Sequence, residues 1–408
     1  MADVRSCRLL IAGTGPAGLA SALYLLRRRP DLKGQVIALE RSRHPRPKVC
    51  AGGLIPKTML ALAELDLPLD VPAVGVRRGL ARTGLGEIDY RDDRVLCTVV
   101  RRDEFDARLA RAAREAGLEI IEDCKVTDVE TAAGGALVHS TGGEFEAEVL
   151  LGADGSGSRV RDALFQRDQQ WVGRALMVDI ALPAARAADF AQTPYCFDFT
   201  CVAAGIRGYS WSFPCFINGR PHLNVGIYDQ CPRDAVEAGQ PKARMLDALA
   251  ASFPDLPIPA QSHGGYKAFP IRWYAPQQRF VDGRVLLAGD AAGVDPLMGE
   301  GISYAFEHGK LAAQALDDFF AGKAGALAVY DETLHRGAVA RKLRRLGFAA
   351  RRFYGPRYRL YFRLATLSRS AQRIGIDWYN GAGHLDEAPL SALLSRWVKA
   401  VLLGAPMG

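Results

Sequence analysis

Three glycines within the first eighteen residues constrain this chain more than any other feature. Leu9-Leu10-Ile11-Ala12 is an apolar run of strand length, and Gly13, Gly15 and Gly18 follow it in G-x-G-x-x-G spacing. Leu19 to Leu26 then reads as a buried helix, Val36 to Leu39 as a second buried strand, and Glu40 closes the unit. A strand, a glycine turn and a helix in this order build a β-α-β unit whose helix start offers unpaired N–H groups and a positive dipole to a diphosphate. Gly13 allows the tight turn, Gly15 lets the backbone approach the phosphates, and Gly18 lets the helix lie close to the strand. Pro16 and Ala17 occupy the helix start between them. An acid about twenty residues on accepts hydrogen bonds from ribose hydroxyls and repels a 2′-phosphate, so Glu40 suits FAD or NAD rather than NADP. Arg41 beside it is a further candidate contact.

A second signature lies far downstream. Leu286-Leu287-Ala288 is another buried run, followed by Gly289-Asp290-Ala291-Ala292-Gly293-Val294-Asp295-Pro296 and then Gly299-Glu300-Gly301-Ile302. This resembles the pattern with which FAD enzymes hold the far end of the same molecule, and it separates FAD from NAD. Asp290 follows a strand, where a carboxylate can meet ribityl or pyrophosphate-bridging hydroxyls. Gly299 and Gly301 open a helix whose N–H groups and dipole can face the flavin N1–C2=O edge, where reduced flavin carries negative charge. Gly289, Asp290, Pro296, Gly299, Gly301 and Ile302 are the candidate contacts here.

The 408 residues suggest two or three domains, and an apolar content of 49% suffices for sizeable cores. No apolar stretch reaches membrane-spanning length, and no secretory signal precedes the first strand, so a cytoplasmic protein is expected. The eight cysteines (7, 50, 97, 124, 196, 201, 215 and 231) form no C-x-x-C pair and are expected as thiols. The seven histidines show no ligand spacing with them, so no metal is expected. Hydrophobic periodicity gives an α/β fold: a doubly wound domain of Rossmann type (glutathione-reductase-like) from 1–78, 100–170 and 271–322. An antiparallel β-sheet substrate domain, 79–99 and 171–270, is inserted into it, with aromatic residues near alternate positions from Phe197 to Phe216. Residues 323–408 form a basic helical C-terminal region. From Arg336 to Arg373 there are twelve basic residues and no acid. Three readings of that stretch stand: a solvated helical face, peripheral contact with an anionic membrane at its inner face, or a site for a pyrophosphate-bearing lipid. Nucleic acid is not an expected partner, because the rest of the chain reads as a redox enzyme.

Together the motifs resemble those of the geranylgeranyl reductase family, within the wider flavoprotein hydroxylase-like group, over about residues 7–320. Arg102-Asp103-Glu104-Phe105-Asp106 resembles the family's R-x-x-F-D segment, which implies that Arg102 lies near the cofactor. Ala153-Asp154-Gly155-Ser156-Gly157-Ser158-Arg159 resembles the group's D-G motif and implies that Asp154 orders a loop beside it. Pro47-Lys48-Val49-Cys50-Ala51-Gly52-Gly53 is similar to the K-x-C-G-G segment next to the flavin, which makes Lys48, Cys50, Ala51 and Gly52 candidate contacts. Ala51 stands where glycine is usual, which puts the geometry of that loop in question. Tyr209-Ser210-Trp211-Ser212-Phe213-Pro214 resembles the Y-x-W-x-F-P motif that lines a prenyl-substrate cavity. Tyr209, Trp211 and Phe213 share one strand face, either as an apolar tunnel or as sheet core.

The resemblance implies an FAD-dependent reduction of carbon–carbon double bonds in a hydrophobic prenyl or isoprenoid substrate. One carbon takes a hydride from reduced flavin, and Cys50 supplies or relays a proton to the other; a thiol that only packs is the alternative. There is no second dinucleotide fingerprint, so electrons are expected from transiently docked NAD(P)H, reduced ferredoxin or reduced flavin. A second reading is an FAD-dependent monooxygenase or halogenase acting on an aromatic or carrier-bound substrate, since flavin halogenases carry a related W-x-W-x-I-P segment. A non-enzymatic flavin-binding partner is the third.

Overall fold

The computed structural model describes residues 4–132, 134–165, 172–183, 189–230, 241–260, 265–366 and 369–381, with isolated positions besides. Apolar runs without alternation form the central sheet. Arg5–Ala12 pairs in parallel with Val36–Leu39 on one side and Gly143–Gly152 on the other. Glu119–Ile121 and Val285–Leu287 extend it in parallel at the two flanks. Leu9, Leu10, Ile11, Val149, Leu150 and Leu286 are completely buried, as strands covered on both faces must be. The helices Pro16–Arg28, Arg102–Glu115 and Ile302–Phe320 share this core.

A second sheet has seven strands in the order Lys267–Arg272, Val172–Ala181, Arg220–Asp229, Gly208–Ile217, Tyr195–Asp198, Arg78–Thr83 and Gly86–Arg91. All its pairings are antiparallel except that of Tyr195–Asp198 with Arg78–Thr83. Period-two alternation gives it two apolar faces. One holds Leu176, Val178, Val225 and Ile227 with residues of the helix Pro241–Ser252. The other holds Met177, Tyr209, Trp211, Phe213 and Tyr228. A small sheet of Gly53–Leu54, Cys97–Val100 and Ala73–Val76 adds Val74, Val76, Cys97 and Val99 to this aromatic cluster. Among the described residues, no helix is long and apolar enough to cross a membrane.

The opening glycines differ in what surrounds them. A Cβ at Gly18 would lie 2.1 Å from the Gly13 carbonyl oxygen and 3.0 Å from Ile11 Cγ2, whereas a Cβ at Gly15 would have only Arg46 Nη2, at 3.9 Å, within reach. Gly18→Ala is expected to destabilise the fold by roughly 2–4 kcal/mol in chemical denaturation of the cofactor-free protein. Gly15→Ala should change it by less than about 0.5 kcal/mol; equal losses for the two would show that both glycines serve packing alone.

Candidate functional site

The two glycine signatures meet in space. Gly289 has φ +61°, and a Cβ there would lie 2.6 Å from Ala17 Cβ. The helix Ile302–Phe320 packs on the opening helix as tightly, since a Cβ at Gly309 would come within 2.8 Å of Ala20 Cβ. Both helix starts therefore open onto one cavity of about 660 Å³, bordered by Gly13, Gly15, Pro16 and Ala17 and also by Gly299, Gly301 and Ile302. Neither helix has a side-chain bond at its N-cap residue or an acid in its first turn. Positive dipole is thus directed at the cavity from two sides, and at the second helix the Glu300 carboxyl accepts from Ser303 N at 2.8 Å and Ser303 Oγ at 2.6 Å.

At one end Glu40 is buried, and its Oε2 accepts from Thr14 N at 3.2 Å and Thr14 Oγ1 at 2.7 Å. Its Oε1 accepts from Ser42 N at 3.2 Å. Arg46, which belongs to no motif, ties this end together. Its guanidinium pairs with Glu40 at 3.2 Å and Asp106 at 3.5 Å and donates to the Thr14 carbonyl at 3.3 Å. Arg41, Ser42, Arg46 and Arg159 also border the cavity.

The middle holds Lys48, Cys50, Ala51, Arg102, Asp154, Gly289 and Asp290. Arg102 makes a two-pronged pair with Asp106, at 2.9 and 3.1 Å, with both side chains buried. Burial works against the Arg102 charge, but Asp106 and the Cys50 thiol outweigh it and raise the pKa. Burial lowers the Lys48 pKa to about 8, with Asp290 opposing and Arg102 reinforcing the shift; its Nζ lies 3.3 Å from the centre of the Phe269 ring. Cys50 Sγ accepts from Gly52 N at 3.4 Å. Gly52 has φ +79°, and a Cβ there would lie 1.9 Å from the Val100 carbonyl oxygen. The residue that must be glycine in this loop is therefore 52. Ala51 is not among the left-handed residues, so the departure from the family spelling leaves the turn intact. Asp154 Oδ2 accepts from Arg159 N at 2.7 Å and Val160 N at 3.3 Å, while its buried Oδ1 has no partner. Burial raises the Asp154 pKa. Ser156, a further residue outside the expected set, donates to Asp290 at 3.1 Å.

The far end is aromatic. Tyr209, Trp211 and Phe213 border the cavity from one strand face, as their alternation predicts. Phe197 packs between Tyr209 and Phe213 with ring centres at 5.1 and 5.4 Å. Trp211 Nε1 donates to Asn224 Oδ1 at 2.8 Å, and Asn224 donates to Asp179 at 2.8 Å; the Tyr209 hydroxyl donates to the Met298 carbonyl. The Cys50 loop abuts this wall, because a Cβ at Gly53 would lie 2.8 Å from the Phe213 ring and 3.0 Å from Cys97 Sγ. Pro214 is a correction. It does not border the cavity, because the alternation that turns 209, 211 and 213 inward turns 214 to the opposite face. Gly18, Gly52 and Pro296 also do not border it. Gly18 spaces helix from strand, Gly52 sits under Val100, and Pro296 packs toward Gly347.

The C-terminal region supplies a wall that no motif announced. Ile376, Tyr379 and Asn380 border the cavity from the helix Arg369–Asn380. The Tyr379 hydroxyl donates to Asp295 at 3.0 Å, and the same carboxylate takes Leu297 N at 2.6 Å and Met298 N at 3.1 Å. Buried Lys342 donates to the Trp378 and Tyr379 carbonyls at 3.3 and 3.0 Å. Tyr354 donates to the Leu297 carbonyl at 2.7 Å. The only trace of this in the sequence is the aromatic residues scattered among the arginines.

Residues 6–345 match the FAD binding domain family, and the chain belongs to it. It is an FAD-dependent oxidoreductase of the geranylgeranyl reductase-like kind. In sequence it is similar to the menaquinone reductase of Mycobacterium tuberculosis, 29% identical over 325 residues that cover 76% of this chain and 77% of the relative. It is 28% identical over 383 residues to the chloroplastic geranylgeranyl diphosphate reductase of Oryza sativa subsp. japonica, covering 87% and 74%. In fold it is similar to a geranylgeranyl bacteriochlorophyll reductase-like protein from Thermoplasma acidophilum, with a TM-score of 0.74 at 20% identity over 98% of this chain and 96% of that one. A flavin-dependent brominase gives 0.68 at 18% identity, covering 92% and 94%.

Two acids in the 295–301 loop make stability depend on pH. Burial raises the Asp295 carboxyl to about 6, and burial raises Glu300 to about 7 against the opposing bonds from Ser303. A raised acid adds stability that is full below its unfolded value, 4.5 for Glu300, and is lost as pH rises through about 7. His308 acts oppositely: burial lowers it to about 4, so its contribution is present above 6.5 and is lost toward acid. In Glu300→Gln the fall in thermal midpoint from pH 5 to pH 8 should shrink by the equivalent of roughly 1–2 kcal/mol. An unchanged slope would show that Glu300 titrates normally in the folded chain.

Proposed function

We propose that this protein reduces carbon–carbon double bonds of a prenyl or isoprenoid lipid with FAD as its redox group. The observation that carries the reading is the junction of the Cys50 loop with the aromatic wall, where Gly53 fits against Phe213 within a cavity that also reaches Gly13 and Gly15. In this reading 1–78, 100–170 and 271–322 form the doubly wound cofactor domain, 79–99 and 171–270 the inserted substrate domain, and 323–381 its helical cover; the rest of the 323–408 region lies outside the continuously described residues.

The residues present fit FAD. Two helix starts are directed at the cavity, the first without a side-chain cap, Gly15 leaves open backbone, and Asp154 keeps a buried oxygen without a partner. Gly13, Gly15, Pro16 and Ala17 would receive the diphosphate, and Glu40, Arg41 and Arg46 the adenosine ribose. Asp154 and Asp290 would meet the ribityl chain, and Gly299, Gly301 and Ile302 the anionic edge of the ring. Lys48, Cys50, Ala51 and Arg102 would flank the reacting face. When bound, FAD supplies hydride chemistry. The chain's own residues do the rest. Tyr209, Trp211 and Phe213 hold the apolar substrate and exclude water. Cys50 holds the proton for the second carbon, and the Arg102 guanidinium, fixed by Asp106, faces the thiolate left behind. Electrons enter from an external donor, NAD(P)H or reduced ferredoxin or flavin.

The rice relative is named for geranylgeranyl diphosphate and the mycobacterial one for menaquinone, which supports the substrate class. A second reading is flavin-dependent oxygenation or halogenation of an aromatic or carrier-bound substrate, favoured by the brominase-like fold.

Reduced protein incubated without oxygen with a panel of polyprenyl compounds should yield products heavier by two hydrogens per bond in mass spectrometry. A strict need for oxygen, with a product one oxygen atom heavier, would replace this reading by the second. Cys50→Ala should keep its flavin and lose turnover by about 10²-fold or more; full turnover at unchanged flavin content would remove Cys50 from the chemistry. Trp211→Leu should shift preference among chain lengths, whereas lost stability with unchanged preference would make the aromatic face plain core.

A further inference from the structure

The helices Ala338–Phe353 and Tyr358–Ala365 have two faces of opposite character. Inward, Ala350, Tyr354 and Phe362 are buried with Val202, next to Leu297 of the cavity wall. Outward, Arg341, Arg344, Phe348 and Arg351 are exposed at steps of three and four residues, one stripe along the first helix. Arg359, Leu360 and Arg363 are exposed on the second. Phe348 is 49% exposed and Leu360 52%, and the Arg352 guanidinium sits 3.4 Å over the Phe348 ring. Among the described residues, Arg351, Arg352, Arg357, Arg359 and Arg363 have no carboxylate within ion-pair distance. Acids outnumber bases in the rest of the chain, so the whole net charge of +7 resides in this stretch.

Uncompensated guanidinium groups surrounding two exposed apolar side chains, on helices anchored from behind, match an anionic bilayer. Its headgroup phosphates answer the arginines, and its acyl boundary takes the phenyl and isobutyl groups. A nucleic-acid duplex would satisfy the cations and leave Leu360 in water. We infer that this face docks the protein on an anionic lipid surface, with Phe348 and Leu360 at the acyl boundary. The docking stands whatever the substrate is. For a lipid substrate it sets the bilayer against helices whose opposite side backs the cavity wall.

The test is co-sedimentation of the full chain with phosphatidylcholine vesicles and with equimolar phosphatidylcholine–phosphatidylglycerol vesicles. Binding is expected to the anionic vesicles only and should weaken as salt rises. The triple variant Arg341→Gln, Arg344→Gln, Arg351→Gln should lose at least about tenfold in partition coefficient, and Phe348→Ser should bind more weakly while keeping its salt dependence. The triple variant Arg5→Gln, Arg220→Gln, Arg279→Gln, which removes the same charge from exposed positions elsewhere, should bind as the unaltered protein does. Flavin content and melting temperature report whether each variant is folded, and neither depends on turnover. Equal binding to neutral vesicles, equal losses from the two triple variants, or binding of a DNA duplex without binding of anionic vesicles would each overturn the inference.

Discussion

The close approach of two helices governs this structure. Pro16–Arg28 touches Ile302–Phe320 and the turn that precedes it through small residues: Ala20 against Gly309 of the helix, and Ala17 against Gly289 of the turn. A larger side chain at any of these positions would push the helices apart. At the observed spacing both N-termini reach one cavity, the first with no acid in its first turn and the second with the buried Glu300 carboxyl bonded to Ser303. The central parallel sheet supplies the rest of the frame, since the strand Gly143–Gly152 lies between Arg5–Ala12 and Val285–Leu287 and puts the loops after all three on one edge. The electrostatics of the cavity thus follow from packing.

What could be read in the sequence was whatever is encoded locally. A strand, a three-glycine turn and a helix lie within about twenty residues, and the conformation each demands is local, so the opening unit is legible. The alternation of Tyr209, Trp211 and Phe213 is legible for the same reason. Reading a motif as a string has limits, however. Pro214 belongs to the same string and faces away. The loop spelling draws attention to Ala51, whereas the left-handed backbone and the crowding against Val100 fall on Gly52. Arg46 bridges Glu40, Asp106 and the Thr14 carbonyl, three partners remote from one another in the chain, and nothing around it in the sequence marks it. The bond from Tyr379 to Asp295 and those from Lys342 behind it are purely tertiary.

The aromatic end and the polar end of the cavity answer to different constraints. The polar end uses backbone groups and buried ion pairs, which tolerate little change of geometry. The aromatic end is built from side chains projecting off one strand face and from helices covering it, and such positions can change without disturbing the sheet. Proteins of similar fold include a geranylgeranyl bacteriochlorophyll reductase-like protein and a flavin-dependent brominase.

The order in which the cavity is completed along the chain has a biosynthetic consequence. Its opening glycine turn leaves the ribosome first, its second glycine turn arrives only with Gly289–Ile302, and the covering bond from Tyr379 comes later still. A nascent chain that ends before residue 285 has the opening strand and helix but neither the strand Val285–Leu287 nor the Gly289 turn that lies against Ala17. Completion of the cavity is therefore tied to synthesis of nearly the whole polypeptide, since residues as far apart as Gly13 and Asn380 border it.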